Sequence, residues 1–195
     1  MCAPAVRLLK VGFALSAAVA MAVAGAPASS AALVERSHDH IVETFEENIC
    51  GIDVVTTLDI IDNFQIRTNK AGFPLFKSSG RGTITWFNPD TGLSVEQRFT
   101  GTSKDLSVTD NGDGTVTVRF AVTGIPEQIT LPDGTVAIKD VGRVVFADVI
   151  DFNGTPGDVS DDVFLSSTVE SISGPHPELE SDFTLFCPTV IDGLT

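Results

Sequence analysis

Apolar and polar residues alternate along much of this chain, most clearly through residues 104–122. Leu106 and Val108 alternate with polar neighbours. The cluster Asp110-Asn111-Gly112-Asp113-Gly114 follows, and the alternation resumes at Val116, Val118, Phe120 and Val122. Two period-2 runs around an Asn/Asp/Gly cluster predict a β-hairpin. Pairing Val108 with Val116 and Leu106 with Val118, with Asn111-Gly112-Asp113 at the tip, puts every apolar side chain on one face. A slip by one residue would put one strand's set in water.

The remaining segments read in the same way. Residues 38–47 alternate loosely, with Ile41 and Phe45 among several acids, and predict an edge strand. Residues 52–66 are rich in Val, Ile, Thr and Phe, and Asp62-Asn63 predicts a bend that divides them into two strands. A strand is expected at residues 82–87 around Ile84 and Trp86. Asn88-Pro89-Asp90-Thr91-Gly92 then forms a turn, with proline at a corner and glycine in the left-handed position. Leu93, Val95 and Phe99 share the next strand's face. Residues 143–150 are apolar on both faces and predict an interior strand, residues 151–162 one long acidic loop, and residues 163–172 and 183–187 the last strands. No segment past residue 32 carries a 3.6-residue apolar repeat over three turns. Ten or so strands with almost no helix describe an all-β chain, a closed antiparallel barrel or else a two-sheet sandwich.

The N-terminus follows a different pattern. Arg7 and Lys10 precede a 13-residue stretch, residues 11–23, dominated by Ala, Val, Leu, Phe and Met, and small residues follow. That order of charge, apolar run and small-residue site predicts a secretory signal peptide over residues 1–28, with the cut as late as residue 32. The run is shorter than the ~20 residues that span a bilayer. Residues 29–37 read as a flexible lead-in and residues 38–195 as a single β-domain. Processing removes two bases and no acid, leaving ten basic against 26 acidic residues, a net charge of −16. So acidic a surface repels nucleic acid and anionic headgroups, which excludes both as partners. Cys50 and Cys187 remain, and an even count in an exported protein predicts a disulfide. Closing 137 positions, it is worth roughly 5 kcal/mol on the chain-entropy account. A staple from first strand to last suits a sheet closing on itself, which favours the barrel.

Four blocks resemble recurring sequences of small secreted actinobacterial proteins of uncharacterised function. They are KDLSVTDNGDGTVTV at residues 104–118, Ile49-Cys50-Gly51, NPDTG at residues 88–92 and NGTPGDVSDDVF at residues 153–164. The resemblance covers most of the mature chain and implies a secreted β-domain with a paired cysteine near each end. It implies no activity and no site.

Candidate chemistry is sparse. Setting Gly114 on the glycine of an EF-hand loop brings Asp113 and Asn111 into ligand positions, but Thr109 and Phe120 then stand where its first ligand and closing acid belong, so the stretch reads as a turn. Asp148, Asp151, Asp158, Asp161 and Asp162 gather five carboxylates within fifteen residues, oxygen ligands of the kind Ca²⁺ takes; a solvated acidic loop is the competing reading. His38 and His40 share one face of an extended strand at a metal-ligand spacing, with Glu43, Glu46 or His176 as a third ligand for zinc. There is no Gly-x-Ser-x-Gly elbow, only three histidines serve as bases, and the absence of tyrosine removes a phenol proton shuttle. A barrel interior would be the natural small-molecule site, unless the 13 phenylalanines fill it. The expectation is therefore a secreted, disulfide-stapled domain that binds a small apolar ligand or another extracellular surface. A barrel-type enzyme of isomerase or cyclase kind and a structural extracellular protein are the alternatives.

Overall fold

The computed structural model describes residues 33–155 and 160–195. The expected signal peptide and Asp158 lie outside the described residues. Seven long strands follow one another: β1 (Leu33–Ile49), β2 (Ile52–Thr68), β3 (Pro74–Phe87), β4 (Ser94–Asp110), β5 (Thr115–Thr130), β6 (Val136–Asp151) and β7 (Val163–Ser173). Two helices close the chain, α1 (Pro177–Glu180) and α2 (Phe186–Leu194). Each strand pairs antiparallel with its sequence neighbour, so the sheet is a meander in the order β1 to β7. The all-β antiparallel class is as expected, but the sheet is not closed into a barrel, because β1 and β7 are its two edges.

Several boundaries differ from the sequence reading. Asp62-Asn63 does not break its strand: Asp62 pairs with Gly80 and Asn63 with Ser79, and residues 52–68 stay continuous. Residues 33–37 belong to β1, where Leu33 pairs with Arg67, rather than to a flexible lead-in. Of the expected last strand at residues 183–187, residues 183–185 are instead the approach to α2 and residues 186–187 its first turn. In the central hairpin Val108 faces Val118 and Asp110 faces Val116, two residues from the expected register, and Leu106 is left over as a bulge between Asp105 and Ser107. The loop residues set this register. Asn111 N–H donates to the Thr115 carbonyl at 3.0 Å, and the Asp113 carboxylate accepts from Thr115 N–H at 3.0 Å, so four residues rather than three form the tip. A shift of two preserves the face, and Val108 and Val116 still point the same way.

The core lies at one end of the sheet. Trp86, Val95, Ile129 and Ile138 come from four strands and pack with Val54, Phe186, Val190 and Leu194. α2 lies close on β4, since a Cβ at Gly193 would collide with the Val95 side chain. The Leu194 carbonyl accepts from Asn88 Nδ2 at 3.0 Å and Thr91 Oγ1 at 2.8 Å, so the NPDTG turn docks the C-terminal helix.

Beyond this capped end, a seam of glycines crosses the sheet. Gly80 pairs with Gly101, Gly101 with Gly124 and Gly124 with Gly142. A Cβ at Gly101 would come within 2.5 Å of the Thr123 carbonyl oxygen, and one at Gly124 would overlap the Thr100 carbonyl. Gly124 also has φ 126°, a region closed to L side chains. Phe99 is the register partner of Gly82 and covers the gap its missing side chain leaves, an aromatic ring shielding strand glycines. Gly124→Ala is expected to cost roughly 1–3 kcal/mol from backbone strain alone, with the overlap added. Gly92→Ala, also at positive φ but with nothing near its Cβ, is expected to cost less. Urea denaturation of the two variants checks the order.

Candidate functional site

The face of the sheet opposite the core is polar around Arg81 and Thr83, and alternation assigns its residues. Even-numbered Ile84 and Trp86 face the core, so Arg81 and Thr83 face away. Register partners share a face: Arg81 stands opposite Ile61 and Thr100, Thr83 opposite Asp59 and Arg98, and Gln128 opposite Arg98. Together with Ile125 and Gly82 they line an open groove of about 520 Å³ across β2 to β5. Asp59 is occupied, its carboxylate 2.8 Å from His40 Nε2. Arg98 Nε lies 2.6 Å from Glu96. Among the described residues no carboxylate pairs with Arg81. The groove thus presents one free guanidinium, a second held from one side, and two threonine hydroxyls.

A second polar constellation lies on the core side, under α1. Glu127 of β5 is the register partner of Asp140 of β6 and accepts from Gln97 Nε2 of β4 at 3.1 Å. Asp140 accepts from the Glu178 backbone N–H at 3.2 Å, and Glu178 Oε1 accepts from the Phe186 backbone N–H at 3.1 Å. His176 and Glu178 are each only 1% exposed. Burial, reinforced by the charges of Glu178 and Asp140, pushes the Glu127 carboxyl up to about 8. Burial also raises Asp140 and Glu178. The sequence reading missed this cluster. Glu127, Asp140 and Glu178 are far apart in the chain, and the strand bulge after Gly124 sets which face Glu127 takes.

The cysteine pair is formed: Cys50 and Cys187 are bonded, with Cα atoms 5.3 Å apart. It ties the β1–β2 turn to the first turn of α2, not one sheet edge to the other. Of the acidic residues considered for calcium, Asp148 lies on β6 and Asp151 at its end. The Asp151 carboxylate accepts from Asn153 N–H at 2.9 Å, and Asp161 accepts from Thr155 Oγ1 at 2.8 Å, so both are engaged within the loop. Asp162 precedes β7. Among the described residues no three His, Cys, Asp or Glu side chains are placed to hold one metal ion. His38 and His40 do share a face, but each bonds across to β2, His38 to Asn63 at 2.7 Å and His40 to Asp59, while His176 is buried under α1. Asp148 instead acts on Asp105. Burial, with the Asp148 charge adding to it, raises the Asp105 carboxyl to about 6, against a backbone hydrogen bond from Phe76.

Reduction of Cys50–Cys187 should lower stability by several kcal/mol, at most roughly 5, read as a fall in melting temperature. An acid whose folded value is raised contributes stability that is full below its unfolded value and lost as pH climbs through the folded one. Asp105 therefore destabilises progressively from pH 3.8 to about 6. Asp105→Asn should recover roughly 1–3 kcal/mol at pH 7 and none at pH 3.5, by urea titration at the two pH values. Comparison with family models, curated proteins and solved structures finds no match to this chain.

Proposed function

We propose that this is a secreted binding domain whose recognition surface is the groove on the polar face of the sheet, and that its ligand is a small molecule carrying an anionic group. One observation carries the reading: Arg81 stands free in the groove of a chain whose net charge is −14. A guanidinium offers a planar fork of donors that matches carboxylate, sulfate and phosphate oxygens. Thr83, Thr100 and Gln128 supply neutral hydrogen bonds beside it, and the volume lies within the roughly 300–1,000 Å³ of small-molecule sites. The surrounding acid adds selection, since a polyanion of any length meets repulsion outside the groove while a small one does not. An apolar ligand is less well supported. It would need an enclosed apolar cavity, and the apolar end of this open sheet is filled by α2. The disulfide suits an oxidising compartment, and no helix among the described residues is long and apolar enough to cross a membrane.

Isothermal titration with citrate, inositol hexakisphosphate and a sulfated disaccharide tests the reading, with decanoate as the apolar control. Saturable binding of at least one anion is expected, weakened about tenfold by Arg81→Ala, a loss of roughly 1.4 kcal/mol, and by high salt. Anion binding indifferent to Arg81→Ala, or binding of decanoate alone, would overturn it.

A further inference from the structure

The carboxyl cluster beneath α1 has no part in the groove, which opens on the opposite face of the sheet. It is also incompletely bonded. Glu178 Oε2, His176 Nε2 and Gln97 Oε1 are buried without a hydrogen-bond partner. Three carboxyl groups from β5, β6 and α1 face one another there, and burial leaves their charged forms without the water that would stabilise them. The same residues hold the helical cap in place. Glu178 belongs to α1, its backbone N–H bonds Asp140 on the sheet, and its carboxyl accepts the first N–H of α2, a position where the residue preceding that helix provides no side-chain cap. α1 itself is a single turn, closed by Glu180 N–H on the His176 carbonyl and Ser181 N–H on the Pro177 carbonyl. Two bonds seat it on β6, Val141 N–H on the Pro175 carbonyl and Glu178 N–H on the Asp140 carboxyl, and the second is made by an ionisable group.

We propose that α1 is a proton-operated latch. While the carboxyls of Glu127, Asp140 and Glu178 retain protons, α1 stays seated and holds the start of α2. When those O–H bonds give their protons to solvent, the like charges lift α1 from the sheet, and Cys50–Cys187 keeps α2 tethered.

The sign follows from linkage. A carboxyl whose value is raised in the latched state favours that state fully below pH 4.5, the ordinary value for glutamate, and loses its contribution as pH rises to about 8, the folded value of Glu127. The other groups acting on the cluster are Glu180 of α1, which raises Asp140, and His176, which lowers it; Gln97 of β4 is neutral. Glu180 reinforces the expulsion and His176 opposes it. Asp105 also titrates in part of this range, but it lies on β4 next to Phe76, on the far side of the glycine seam, and acts on the whole sheet.

Opening is read by native-state amide exchange on the oxidised secreted chain, corrected for intrinsic rates. Ser181, whose N–H bonds Pro177, and Phe186 report the latch, and Ile129 reports the sheet. The single tryptophan, Trp86, gives a second readout, because it is fully buried edge-on against Phe186 with ring centres 5.6 Å apart. Protection at Ser181 and Phe186 should fall by at least tenfold per pH unit between pH 5 and 8, one decade for each carboxyl that titrates there, and level off above 8, while Ile129 falls less. Acrylamide quenching of Trp86 should rise over the same interval. Glu127→Gln, or Glu178→Gln if the first variant does not fold, should reduce the slope by about one decade per pH unit. Asp105→Asn should leave it unchanged. Protection that is flat from pH 5 to 8, a slope equal at Ser181 and Ile129, or a Glu127→Gln slope matching the unaltered chain would each overturn the latch.

Discussion

An open seven-stranded meander has to bury one end of one face, and in this protein a nine-residue helix does so. α2 brings Phe186, Val190 and Leu194 onto Trp86, Val95, Ile129 and Ile138, residues drawn from four different strands. So short a helix is not stable alone. Three attachments hold it: the disulfide at its first turn, the Asn88 and Thr91 side chains at its last carbonyls, and the Glu178 carboxyl at its first N–H. The core depends on these attachments, because without α2 the apolar ends of the strands face water.

The glycine seam determines what the rest of the sheet can do. Four paired glycines on adjacent strands let backbones approach where side chains would hold them apart, and the seam separates the capped end from the far half of the sheet. On the reverse face the same region holds the groove, with Gly82 in its lining and Arg81 and Arg98 on either side. Where the strands are free of side chains on one face, the cationic residues of the other face are brought round a concavity instead of lying along a flat surface.

The two edges are guarded by different means. β1 carries Glu35, Asp39, Glu43, Glu46 and Glu47, and an added strand would meet that charge. β7 is exposed along its whole length and includes Val163, Phe164, Leu165, Val169 and Ile172. Two residues, Leu165 and Glu170, are extra relative to β6, so the strand is bulged twice, and Glu170 is drawn back onto Arg119 by paired hydrogen bonds. Bulges interrupt the regular ladder that another strand would copy.

Local chemistry was enough to read the all-β antiparallel class, the main turns and the cysteine pair. Alternation of Val116, Val118, Phe120 and Val122 specifies which face is dry, whatever the register. Asn88 to Gly92 turns because proline and glycine permit little else there, and Cys50 and Cys187 are the two cysteines past the expected signal peptide. The sequence could not decide closure, which elements the staple joins, or the setting of its acids. The disulfide is equally compatible with a barrel seam and with a helix cap, because a separation of 137 positions carries no direction. Residues 183–187 read as a strand from composition but lead into a helix, because Cys187 and Leu194 are anchored to the sheet end. Glu127, Asp140 and Glu178 are ordinary surface-type residues in the sequence. They become buried neighbours only when a bulge, a strand pairing and a helix turn converge, and such a convergence depends on contacts between segments distant in the chain.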